Sequence, residues 1–198
     1  RLLSTDDIDE ALEITNKLEL YNSERKAIEY SVFEQALLQA KEQSQDDSLI
    51  MVSGENWHPG VVGIVAGRLK EMFHKPIAVL SLEGENAKAS CRSIYGVDFG
   101  SAVVKAKEEG ILLGGGGHKM AAGFTSLRKN LPAIKAFLHN RFSEELALLK
   151  NKHHRVFDGY LSTGAVNLKL AKQIEQVGPF GPSNHEPKFM LNNVYIAK

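Results

Sequence analysis

The chain has 198 residues of which 43% are hydrophobic and 24% charged, an ordinary balance for a globular protein longer than a typical domain of about 100–150 residues, and no apolar run approaches the roughly 20 residues of a membrane span. A single cysteine, Cys91, excludes an internal disulfide and a Cys-rich zinc site, which fits a reducing compartment and leads us to expect the cytoplasm. The net charge of zero conceals 5 Lys/Arg against 13 Asp/Glu over residues 1–60 and 19 against 11 over 61–198, with all seven histidines from His58 onward, so an anionic partner belongs to the later part.

The chain opens at Arg1 with neither an initiator methionine nor a charged-then-apolar leader, so a piece of a longer protein is expected. Thr5 and Asp6 are candidate helix caps, and Ile8, Leu12, Leu18, Ile28, Val32, Phe33, Leu37 and Leu38 recur at helical spacings up to about Gln43. One or two long acidic helices are expected over 1–47, acting as an interdomain linker rather than a site. The polar run at 42–48 ends that pattern, and "LIMVS" suits a short buried strand. Pro59 suits the first turn of a helix whose apolar face is Val61, Val62, Ile64, Val65, Leu69 and Met72, while Gly60, Gly63, Ala66 and Gly67 predict close packing. "PIAVLSLEG" and "AKASCRSIYG" read as strands about a Gly-Glu-Asn turn, and "DFGSAVVKAKEEG" as a capped helix ending at Gly110. A short strand at "AAGFTS" then precedes a helix from about Asn130 to Lys150. This order predicts an α/β domain with a mixed sheet flanked by helices over 48–150. Over 151–198, "RVFDGYLS" and "KFMLNNVYIAK" are strand-like and "NLKLAKQIEQVG" helical, too few elements to close a small barrel, so an incomplete third unit is expected.

Chemistry concentrates in a few places. Gly114–Gly117 precede His118 and Lys119 without the Gly-Lys-Ser/Thr of a Walker A loop or the spacing of a dinucleotide fold. Two readings stay open: bare backbone N–H groups cradling an anion beside two cationic side chains, or a flexible turn packed near a sheet. Trp57 and His58 stand where a strand passes into a helix, placed to stack on a base and bond a phosphate, although a lone Trp is more often a core residue or a lid over the core. Arg92-Ser93, at a strand end, offers a forked cation beside a hydroxyl, with a surface ion pair as the alternative. The Asp/His constellation of a two-metal phosphoesterase is missing, as is a Gly-x-Ser-x-Gly elbow, so no metal site and no complete catalytic set are expected here. Cys91 reads as a packing residue and His153-His154 as a solvated linker.

Taken in order, "WHPGVVGIVAGRLKEMFHKP", "KASCRS" and "GGGGHKMAAGF" resemble the DHHA1 substrate-binding domain of the DHH phosphoesterase superfamily, and in particular its RecJ-type single-strand-specific 5′–3′ exonucleases. "LYNSERKAIEYSVFEQA" is similar to the helix joining the two catalytic lobes of such enzymes, and "GPFGPSNHEPKF" to the start of their OB-type domain. The resemblance implies a nucleic-acid-binding half of a DNA repair and recombination enzyme, inactive by itself, with single-stranded DNA as its partner. Its Mn2+ or Mg2+ would sit on a DHH lobe whose Asp-His-His signature this sequence lacks. It also implies that Gly115, Gly116, Gly117 and His118 grip the backbone near the scissile phosphate, that Arg92 and Ser93 hold phosphate toward the 5′ end, and that Trp57 and His58 border the cleft. Cys91 stands where the family favours a smaller residue, and Phe180 where a tryptophan is frequent. The alternatives are a nanoRNase or cyclic-dinucleotide phosphodiesterase of the same superfamily, and a non-catalytic nucleic-acid-binding accessory domain.

Overall fold

The computed structural model describes residues 1–43, 47–149, 157–181 and 184–195. They fall into two compact units, 1–151 and 152–198. His153-His154 lie outside the described residues, as does part of the polar run before the first strand.

The first unit opens with one continuous helix, α1 (Ile8–Glu42). Its cap is Asp7, one residue later than expected: the carboxylate accepts the backbone N–H groups of Asp9 at 2.9 Å and Glu10 at 3.3 Å. Thr5 instead donates its hydroxyl to the Glu10 carboxylate, bracing the first turn from outside. Burial on α1 begins only at Val32, with Phe33, Ala36 and Ala40, where the helix meets α2 (Pro59–Phe73). Arg68 of α2 lies 3.9 Å over the Phe33 ring and pairs with Glu29 at 3.2 Å, joining the two helices.

Five strands form one mixed sheet in the order β1 (Ile50–Glu55), β2 (Ile77–Glu83), β3 (Asn86–Arg92), β5 (Ala121–Leu127) and β4 (Gly114–His118). β1 and β2 run parallel across α2, and every other pairing is antiparallel. Gly84 takes a left-handed φ of 56° in the β2–β3 turn, the first turn position where a two-residue hairpin takes glycine. Strand alternation divides the core. Ile50, Val52, Ile77 and Val79 pack against α1 and α2; Ala78, Leu80, Leu82, Ala89, Cys91 and Phe124 face α3 (Phe99–Glu108) and α4 (Leu131–Leu149). Phe99 and Phe142 meet edge to face, centroids 4.9 Å apart, at the centre of that second layer. Asp98 caps α3, and Gly110 closes it at φ 74° with the Ile111 N–H reaching the Ala106 carbonyl.

The largest departure from expectation is the glycine run. It is neither a loop nor a turn but strand β4, the last of the sheet, paired residue for residue with β5.

The second unit holds β6 (Gly159–Tyr160), α5 (Leu168–Glu175), capped by Asn167, and β7 (Phe189–Met190), with β6 and β7 parallel. Its strands are two residues each, far shorter than the strand-like stretches of sequence, because among the described residues no third strand joins the pair. No helix among the described residues is long and apolar enough to cross a membrane.

Candidate nucleic-acid interface

Register places residues of β3, β5 and β4 in rows across the sheet. Arg92 pairs with Ala121 and Ala121 with His118; Ser90 with Gly123 and Gly123 with Gly116; Lys88 with Thr125 and Thr125 with Gly114. Directly paired residues share a face, and in β3 the alternation buries Ala87, Ala89 and Cys91 while leaving Lys88, Ser90 and Arg92 on the opposite side. That is the α2 side. Gly63 of α2 lies over this row, where a Cβ would stand 3.0 Å from Ser90 Oγ and 3.3 Å from an Arg92 guanidinium nitrogen. Past β3 the floor is bare: a Cβ at Gly114 or Gly116 would meet no atom within 4 Å. The result is a shallow groove with a flat floor of Ala121, Gly123 and Thr125, the polar groups of β3 along one side and glycine backbone along the other. Arg92 and His118, two strands apart, are separated by about 10 Å.

The other two glycines of β4 answer to packing. A Cβ at Gly117 would fall 2.4 Å from the Ala121 carbonyl oxygen and from Ala122 Cα; one at Gly115 would fall 2.7 Å from a Val103 methyl of α3. Gly100, in the first turn of α3, is required for the same reason, since its Cβ would sit 2.9 Å from the His118 carbonyl carbon. The β4–β5 turn is further held by the Phe99 N–H donating to the Lys119 carbonyl at 3.2 Å and the Ser93 N–H to the Met120 carbonyl at 2.9 Å. Around the edge of β4 a cavity of about 720 Å³ opens at the start of α3, lined by Asp98, Lys105, His118, Lys119 and Arg141 among others. Asp98 accepts the Ser101 N–H at 2.9 Å, and that bond, helped by Lys119 and Arg141, holds its carboxyl below the usual range. His118 is common to the cavity and to the first row of the groove.

The structure therefore brings Arg92, Gly116 and His118 to one surface, with Gly115 and Gly117 shaping the strand and Lys119 exposed at its end. Two expected contacts are corrected. Trp57 is 3% exposed, its ring lying on Gly54, where a Cβ would clash at 2.1 Å, and its N–H donating to Gln35 Oε1 at 3.2 Å; no face remains for a base. Ser93 is fully buried and donates its hydroxyl to the Val97 carbonyl at 2.8 Å, so it closes the β3–α3 loop instead of meeting a phosphate. His58 is exposed but caps α2, its Nδ1 accepting the Gly60 N–H at 3.0 Å. Lys88, Ser90 and Gly63 were not singled out from sequence as contacts, although the every-second-residue pattern in "AKASCR" carries the first two. Cys91 is buried between Ser90 and Arg92 on the opposite face, and burial pushes its thiol up, away from reactivity. Among the described residues no three His, Cys, Asp or Glu side chains gather in a group that could hold a metal ion.

Comparison with known proteins matches the DHHA1 domain to residues 46–144 and the RecJ OB domain to residues 157–198. The single-stranded-DNA-specific exonuclease RecJ of Escherichia coli is 34% identical over 95% of this chain and 34% of its own length; that of Bacillus subtilis is 28% identical over 98% and 25%. The chain thus spans about a quarter to a third of the curated relatives it matches. Among solved structures, RecJ of Thermus thermophilus in complex with Mg2+ superimposes with a TM-score of 0.76 at 28% identity, covering 96% of this chain and 29% of that one. A RecJ exonuclease bound to manganese matches with a TM-score of 0.61 at 32% identity over 75% and 38%.

Proposed function

Because this chain belongs to the DHHA1 domain family, with a RecJ OB-type segment following, we propose that it is the substrate-holding part of a metal-dependent, RecJ-type single-strand-specific exonuclease. The observation that carries the reading is the groove: cationic and hydroxyl side chains of β3 face a strand of bare glycine backbone across a flat floor. Such a surface suits a flexible anionic backbone. The guanidinium of Arg92 offers paired N–H donors to phosphate oxygens, and Ser90 Oγ adds a hydroxyl beside it. Gly114 and Gly116 leave the sugar–phosphate chain free to lie against the sheet. His118 lies at the end of the first row and at the mouth of the α3 cavity, which supports assigning it the phosphodiester that is cut. Binding and orientation belong to this chain; the Mn2+ or Mg2+ and the attack on phosphorus belong to a DHH lobe outside it.

The single-strand preference follows from the shallow floor, which meets one backbone at close range, and from the groove an OB-type domain adds. Fluorescence anisotropy with a single-stranded oligonucleotide, the matching duplex and a transfer RNA tests the reading. We expect the single strand to bind most tightly, with affinity falling steeply as salt rises. Tighter binding of transfer RNA would overturn it in favour of a non-catalytic accessory domain.

A further inference from the structure

The row of Arg92, Ala121 and His118 is the last of the sheet. Past it the strands give way to two connections, the loop 93–98 into α3 and the Lys119–Met120 turn, joined by the bond from the Ser93 N–H to the Met120 carbonyl at 2.9 Å. Each connection carries a large exposed side chain. Tyr95 is 86% exposed, more than any other large apolar side chain among the described residues of 50–149, and Met120 is 48% exposed. Slack in the loop does not put Tyr95 outside. Ile94 and Val97, on either side of the tip, pack against the layer of α3 and α4, and the Val97 N–H reaches the Ile94 carbonyl at 3.3 Å. Gly96 takes a φ of 87° and Tyr95 does not take a positive one, the pattern of a type II turn with Tyr95 at its first corner. The Ser93 hydroxyl, donated to the Val97 carbonyl at 2.8 Å, pins the same turn from within. A tyrosine presented this way has only two side-chain rotations to lose on meeting a ligand.

We propose that Tyr95, with Met120 in the neighbouring turn, is the base-stacking platform for the nucleotide that spans Arg92 and His118. This rests on the reading of the groove as a nucleic-acid interface and assigns a place to a base, where that reading concerns the backbone alone. A strand crossing the sheet from Arg92 to His118 covers about 10 Å, a span that one nucleotide with a phosphate at each end fills together with the Arg92 side chain. An exonuclease that starts from the 5′ end cuts behind the first nucleotide, so the one held here is the 5′-terminal one. With its phosphates on the row and Ala121 beneath its sugar, its base is free to turn past the end of the sheet, where Tyr95 stands. Stacking also suits a site through which all four bases must pass in turn, because every base has a π-face.

The test is anisotropy on the 198-residue chain with two 5′-phosphorylated single-stranded hexanucleotides, one intact and one abasic at its first position, titrated between about 50 and 200 mM salt. Tyr95→Ala should weaken the intact strand by about fivefold or more, the loss of one stacked base, and leave binding of the abasic strand as it is in the unaltered chain. Tyr95→Phe should keep the affinity for the intact strand. The salt slope should stay the same in Tyr95→Ala, because no phosphate contact is removed, and the thermal midpoint should not move, because the side chain is exposed. An equal loss on both strands, or no loss on the intact one, would overturn the stacking site while leaving the groove intact. Failure of the unaltered chain to bind either strand would take the groove reading down as well.

Discussion

Arg92 has a serine two residues before it and another directly after, and the two hydroxyls have different surroundings. Ser90 shares the groove face with the guanidinium, 3.5 Å from it, while Ser93 is sealed beneath the β3–α3 loop and bonded to the Val97 carbonyl. Ser93→Ala should therefore cost about 1–2 kcal/mol in urea unfolding and leave oligonucleotide affinity unchanged. Arg92→Gln should do the reverse, lowering affinity and salt slope with a smaller loss of stability. A result in which Ser93→Ala weakens binding without destabilising the chain would return that hydroxyl to the site. Adjacency in the sequence suggests Arg92-Ser93 as a pair, but alternation along a strand sends neighbours to opposite faces, and only the strand's end point decides which serine is the partner. Trp57 was undecidable for a similar reason. Its enclosure depends on Gly54 beneath it and on Gln35 from α1, 22 residues away, and the second contact is not local.

Element by element, the four glycines of β4 divide into two pairs with different tasks. Gly115 and Gly117 are held to glycine by β5 and α3, while Gly114 and Gly116 face open space. Gly117→Ala should destabilise the fold by about 1–3 kcal/mol, since the methyl group must displace strand backbone rather than the tip of a side chain. Gly116→Ala should change stability by less than about 0.5 kcal/mol yet weaken oligonucleotide binding, because the methyl would stand on the groove floor. Paired urea melts and anisotropy titrations distinguish the two, and comparable unfolding losses for both would show that the open face is not reserved for a ligand. Most of the helices and the β2–β3 hairpin were legible in sequence from their periodicity, caps and turn residues. β4 was not, because glycine has no side chain with which to announce a strand and low intrinsic preference for one. It is a strand through its neighbours: β5 supplies the ladder and Gly100 of α3 the clearance on the other side.

At the scale of the whole molecule, the acidic excess and the groove occupy different parts of the chain. The first half of α1 carries exposed Ile8, Leu12, Leu18, Leu20 and Tyr21 and contributes no buried residue before Val32. Removing residues 1–24 should accordingly shift the thermal midpoint of the first unit by less than about 2 °C, and a drop beyond about 4 °C would show that this half of the helix supports the sheet. The helical pattern of that segment was readable, but where its burial starts depends on the reach of α2 and on Arg68 meeting Phe33 and Glu29. β4, finally, is an edge strand whose outer backbone groups have no partner in the sheet order. Natural edges are usually guarded by inward charges, prolines or bulges, and this one has only His118 and Lys119 at one end. Glycine leaves that edge without side chains to shield it from a second polypeptide strand. Pairing of two such edges is therefore the self-association to expect in concentrated solution, read as an apparent mass that rises with concentration.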